Sequence, residues 1–102
     1  MLEISSKKFS NYWEVYICGE LDVSNCDKLK EFLNKLFIES QIDIKIDLEK
    51  LDYIDSTGLG VLISILKKLK TSNKELYLVN PKQNVEKIFN ITGLDKIFNM
   101  EW

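Results

Sequence analysis

Histidine occurs nowhere among the 102 residues. That absence excludes Ser-His-Asp and Cys-His nucleophile pairs and any metal site built on imidazole. No cluster of lysines or carboxylates suggests a substitute, so no catalytic residue, metal site or cofactor is assigned, and the chain is read as a non-enzyme. Cysteine is nearly as scarce. Cys18 and Cys26 form neither a Cys-x-x-Cys pair nor a ligand quartet. Each is read as a small core residue, Cys18 in a strand and Cys26 on the apolar side of a helix. No apolar run is long enough to cross a bilayer, and Met1-Leu2-Glu3-Ile4 lacks a basic stretch followed by an apolar core. The expectation is a cytoplasmic protein without membrane contact. Excess positive charge is also missing. The net charge of −2 has the wrong sign for a nucleic-acid-binding surface. Lys67, Lys68 and Lys70 fall in the last turns of a predicted helix, where they complement the negative end of its dipole as solvated surface.

What is present belongs to a globular domain. The chain is 45% hydrophobic and 29% charged. A single domain over residues 1–102 is expected, burying roughly two-thirds of the surface exposed by its unfolded form. Leu2 to Phe9 is weakly strand-like. Trp13, Val15 and Ile17 alternate with Glu14, Tyr16 and Cys18 as a second strand, which Gly19 ends, and Ser10-Asn11 makes the turn between the two. Ser24 is the expected cap of a first helix, with Asp27 as its capping-box partner and Leu29, Phe32, Leu33, Leu36 and Phe37 as its buried face. Ile42, Ile44, Ile46 and Leu48 alternate with Asp43, Lys45, Asp47 and Glu49, the period of a half-buried strand.

Leu59, Leu62, Ile65, Leu66 and Leu69 then recur at helical spacing. Leu76 to Val79 forms another strand. Pro81 suits the first turn of a last helix carrying Val85, Ile88 and Phe89, which Thr92-Gly93 stops. Ile97-Phe98 is a candidate final strand. The order ββαβαβα(β) predicts an α/β domain with a mixed sheet, a leading antiparallel hairpin and packed amphipathic helices.

The segment with the most chemistry is Asp55-Ser56-Thr57-Gly58-Leu59-Gly60, where strand gives way to helix. A hydroxyl there can cap the helix by accepting from a free N–H. The same position tolerates a phosphate, since free N–H groups and the positive end of the dipole meet it. Gly58 and Gly60 let a partner come close or permit tight helix–sheet packing. Gly58-Leu59-Gly60 is no Walker loop, because no Gly-Lys-Ser/Thr follows, and Gly-x-Ser-x-Gly is absent. A nucleotide hydrolase is therefore disfavoured.

Gly19-Glu20-Leu21-Asp22, Asp55-Ser56-Thr57-Gly58-Leu59-Gly60, Leu78-Val79-Asn80-Pro81 and Thr92-Gly93-Leu94-Asp95 occur in order over nearly the whole chain. Together they resemble the STAS domain of bacterial anti-sigma factor antagonists. The shortness of the chain resembles a free-standing antagonist more than part of a transporter or sensor. The resemblance implies a switching cycle. The unmodified protein binds an anti-sigma factor that is also an ATP- and magnesium-dependent serine kinase, and so frees a sigma factor. Phosphorylation on Ser56 breaks the complex, and a metal-dependent Ser/Thr phosphatase restores the active form. Asp22, Asp55, Ser56, Thr57, Gly58, Leu59 and Gly60 are the expected partner-binding residues, and Thr57 is the competing acceptor. The free protein is expected to be a monomer. The alternative is a non-switching STAS adaptor of a transporter or larger regulatory complex.

Overall fold

The computed structural model describes residues 1–101. Strand β1 (Leu2–Lys8) and β2 (Tyr12–Leu21) form the expected hairpin, paired antiparallel from Leu2↔Gly19 to Lys8↔Trp13. Helix α1 (Cys26–Glu39) leads to β3 (Asp43–Asp47), which runs parallel to the first half of β2. A strand that the sequence pattern does not announce follows. β4 (Leu51–Ile54) pairs parallel with Gly19, Glu20 and Leu21 of β2. Helix α2 (Ser56–Thr71), β5 (Leu76–Val79), α3 (Gln83–Thr92), a short 3-10 turn at Leu94–Lys96 and β6 (Asn99–Glu101) complete the fold. The six-stranded mixed sheet runs β1-β2-β3-β5-β6, with β4 on β2.

Binary patterning accounts for most of this. Ile44, Ile46 and Leu48 are fully buried, whereas Asp43, Lys45 and Asp47 stay half-exposed on the other face of the sheet. The helices cover the apolar face. Leu59, Leu62, Ile65, Leu66 and Leu69 of α2 all enter the core, as do Leu29, Leu33 and Leu36 of α1. Truncating a side chain such as Leu62 to alanine removes about 2–5 kcal/mol at a site like this. Gly93 stops α3 in the left-handed region, with φ 75°.

Several expectations are corrected. Gly19 does not end β2. Its φ is 110°, it sits at a shift of register against β4, and the strand runs on to Leu21. A side chain at Gly19 would collide with the Met1 carbonyl. The N–H of Glu20 donates to that carbonyl over 3.3 Å, and Lys28 Nζ donates to the Leu2 carbonyl over 2.7 Å. Ser24 does not cap α1. The helix begins after Asn25, which makes no side-chain cap, because Ser24 is held back by Asp22. Pro81 lies two residues before α3 instead of in its first turn. The last strand is 99–101 and not 97–98. Cys18 is exposed on the open face of the sheet, since it alternates with buried Ile17; Cys26 is half-buried against the core.

Candidate functional site

β2 and β4 run parallel and end side by side, and the N–H of Asp55 donates to the Leu21 carbonyl over 3.2 Å. Asp22 and Asp55 therefore leave the sheet from neighbouring strand ends, and each opens the way into a helix. The carboxyl ends of parallel strands are where α/β folds present ligand- and partner-facing loops.

The two aspartates make the same local bond. Asp22 Oδ1 accepts from the N–H of Ser24 at 2.9 Å and from its hydroxyl at 2.5 Å. Asp55 Oδ1 accepts from the N–H of Thr57 at 3.0 Å, from its hydroxyl at 2.5 Å and from the N–H of Gly58 at 3.1 Å. The helix cap is thus the carboxylate of Asp55, where a hydroxyl had been the sequence expectation. A carboxylate accepts more than one bond at once and meets the positive end of the dipole. Thr57's hydroxyl is the largest influence and holds the Asp55 carboxyl below its ordinary range; partial burial opposes it, and the N–H groups of Gly58, Thr57 and Val23 add to the lowering.

Ser56 is the first residue of α2 and is exposed; it is not among the groups that Asp55 holds. Gly60, one turn on, is also exposed, and an added Cβ there would meet nothing within 4 Å. Asp22, Asp55 and Thr57 are half-buried at the rim. Gly58 and Leu59 are not available for contact. Leu59 is 6% exposed, and Gly58 is buried so tightly that a Cβ would fall 2.7 Å from Leu21 Cγ. Their expected place in a binding surface is corrected to support from beneath, because positions 58 and 59 lie on the core side of the helix while 56 and 60 face outward. The pattern reading missed Val23. It is 72% exposed beside Asp55, and an apolar residue between Asp22 and Ser24 was its only sequence signal.

A groove of about 520 Å³ lies elsewhere, on the open face of the sheet along Tyr16, Cys18, Asp47 and Lys50. Among the described residues no group of three or more Cys, Asp or Glu could hold a metal ion, and no helix is long and apolar enough to cross a membrane.

The fold and the turn define a small α/β domain with an exposed, carboxylate-capped helix start at the ends of two parallel strands. The STAS domain family model matches residues 4–101, and the chain belongs to that family. The anti-sigma-B factor antagonist of Staphylococcus aureus (strain NCTC 8325 / PS 47) is 35% identical over 99 residues, covering 97% of this chain and 92% of the relative. An anti-sigma factor antagonist from Mycobacterium paratuberculosis superposes with a TM-score of 0.88 at 22% identity, covering 99% of this chain and 86% of that one. The anti-sigma factor antagonist SpoIIAA in its unphosphorylated form gives 0.83 at 20% identity, covering 100% and 88%. The phosphorylated form of Bacillus SpoIIAA gives 0.75 at 19%, covering 100% and 91%. At these identities the structural matches speak for the fold alone.

Proposed function

We propose that this chain is an anti-sigma factor antagonist whose binding is switched by phosphorylation of Ser56. Unmodified, it docks on an anti-sigma factor that is also an ATP- and magnesium-dependent serine kinase, and a sigma factor is released. The kinase transfers phosphate to Ser56 and the complex separates. A metal-dependent Ser/Thr phosphatase in the same cytoplasm removes the phosphate. The chain is a binding module and a substrate, with no catalytic activity of its own.

The observation that carries this reading is the exposure of Ser56 at the first position of α2 while the neighbouring polar groups are engaged by Asp55. Family membership and the 35% identical antagonist from S. aureus support it. The physics is consistent. Phosphate replaces a neutral hydroxyl by about −1.5 to −2 charge. Solvent accommodates that charge on the free protein. Under a partner it has to be dehydrated, and an unpaired buried ion is strongly unfavourable.

The test uses two variants and the co-encoded kinase. Ser56→Ala should bind it as wild type does, and Ser56→Asp should bind roughly tenfold more weakly or worse. Equal affinities would refute the switch.

A further inference from the structure

We propose that Asp55 is the residue that assigns the phosphate to Ser56, by withholding the adjacent Thr57 hydroxyl from the kinase. The inference rests on the switch reading above. Two hydroxyls stand side by side at the start of α2, and by residue chemistry alone either could accept phosphate. Their environments differ. Thr57 is half-buried, and its hydroxyl donates to Asp55 Oδ1 at 2.5 Å, while its own N–H and that of Gly58 converge on the same oxygen. Ser56 points outward and takes no part in this arrangement.

Transfer requires a specific sequence of bonds. The acceptor hydroxyl gives its proton to a base on the kinase, its oxygen bonds the γ-phosphorus of ATP, and the bond from that phosphorus to the departing ADP oxygen breaks. For Thr57 the hydroxyl must first leave Asp55 and turn out of the rim. Ser56 needs neither movement. A charge-assisted hydrogen bond sets the handicap at roughly ten- to a hundredfold in rate. Asp55 is a positioning residue here. It also draws the proton of Thr57 toward itself, but a carboxylate held below its ordinary range by several donors is a weak base, so restraint outweighs activation.

Asp22 provides an internal comparison. Its carboxylate holds Ser24 with the same two bonds, 2.9 Å to the N–H and 2.5 Å to the hydroxyl. Of the hydroxyls around this rim, Ser24 and Thr57 are both tethered by an aspartate two residues earlier. Ser56 is left as the acceptor.

The experiment maps phosphate by mass spectrometry after incubation with ATP, magnesium and the co-encoded kinase. Wild type should carry phosphate on Ser56 alone, and Ser56→Ala should carry almost none. Ser56→Ala/Asp55→Asn should acquire phosphate on Thr57 at least roughly tenfold faster than Ser56→Ala. Asparagine can still cap the backbone N–H groups, so Asp55→Asn separates the charged hold on the hydroxyl from fraying of the helix. Thr57 phosphorylation in Ser56→Ala/Asp55→Asn, with cooperative melting kept and a melting temperature lowered less than in Ser56→Ala/Asp55→Ala, supports the inference. Thr57 phosphorylation confined to Asp55→Ala, with a lowered melting temperature, overturns it in favour of fraying. Phosphate divided between Ser56 and Thr57 in the wild type, or no rise in Ser56→Ala/Asp55→Asn, also overturns it. A wild type that takes no phosphate overturns the switch itself, a result distinct from each of these.

Discussion

A side chain carbon added to Gly58 would lie 2.7 Å from Leu21 Cγ, closer than packed atoms approach, so the helix and β2 meet there only because position 58 has none. Gly60, alike in sequence, faces open space. Gly58→Ala should lower stability by about 1–3 kcal/mol through overpacking. Gly60→Ala should raise it by about 0.5–1 kcal/mol, since a glycine inside a helix costs conformational entropy. Urea unfolding measures both, and shifts of the same sign would contradict the assignment. Gly60→Ala should also weaken kinase binding while leaving the fold intact.

Acid should weaken the protein partly through Asp55. Its carboxyl titrates lower in the folded chain than in the unfolded one, chiefly because of the Thr57 hydroxyl. A group shifted in this direction contributes stability that is present above its unfolded pKa, near 4, and is lost as pH falls through the folded value. The stability gap between wild type and Asp55→Asn should therefore be open at neutral pH and close below about pH 4. Thr57→Val should move the Asp55 carboxyl back toward its ordinary range, as read by carboxyl NMR. A gap independent of pH would contradict the hydrogen-bond geometry.

Phosphorylated protein should melt within roughly 5 °C of the unmodified form. Asp55 already occupies the N–H groups of Thr57 and Gly58. The phosphate gains little from the helix start, and its repulsion from Asp55 is screened by water and salt. Calorimetry of the two forms checks this, and loss of cooperative melting would count against a switch that acts on binding alone.

The two thiols should react at different rates in the native state. Cys18 is exposed, and Cys26 is half-buried with its Sγ 3.8 Å from the Val23 carbonyl. A thiol reagent should modify Cys18 roughly tenfold faster or more, and Cys18→Ser should abolish the fast phase.

Long periodic segments were legible in the sequence, and short or locally bonded ones were not. The α2 face and the alternation around Ile44 and Ile46 follow from burial on one side. β4 escapes notice because only Leu51 and Ile54 of its four residues are buried, a three-residue spacing that matches a helix face and not the two-residue period of a strand. At the site, the turn itself was readable, but the division of labour among its residues was not. Asp55 takes the cap because a carboxylate outcompetes a hydroxyl for several converging N–H donors, and Ser24 loses its cap because Asp22 holds it first. The inward positions of Gly58 and Leu59 follow from the buried face of α2, which they share with Val61, Leu62, Ile65, Leu66 and Leu69.

The bond between Glu20 and the first carbonyl of the chain has a practical corollary. It anchors the amino end against the stretch of β2 that leads to Asp22, while β6 forms the opposite border of the sheet. A purification handle fused ahead of Met1 would crowd the surface under assay, so affinity measurements are better made on protein with no residues added there.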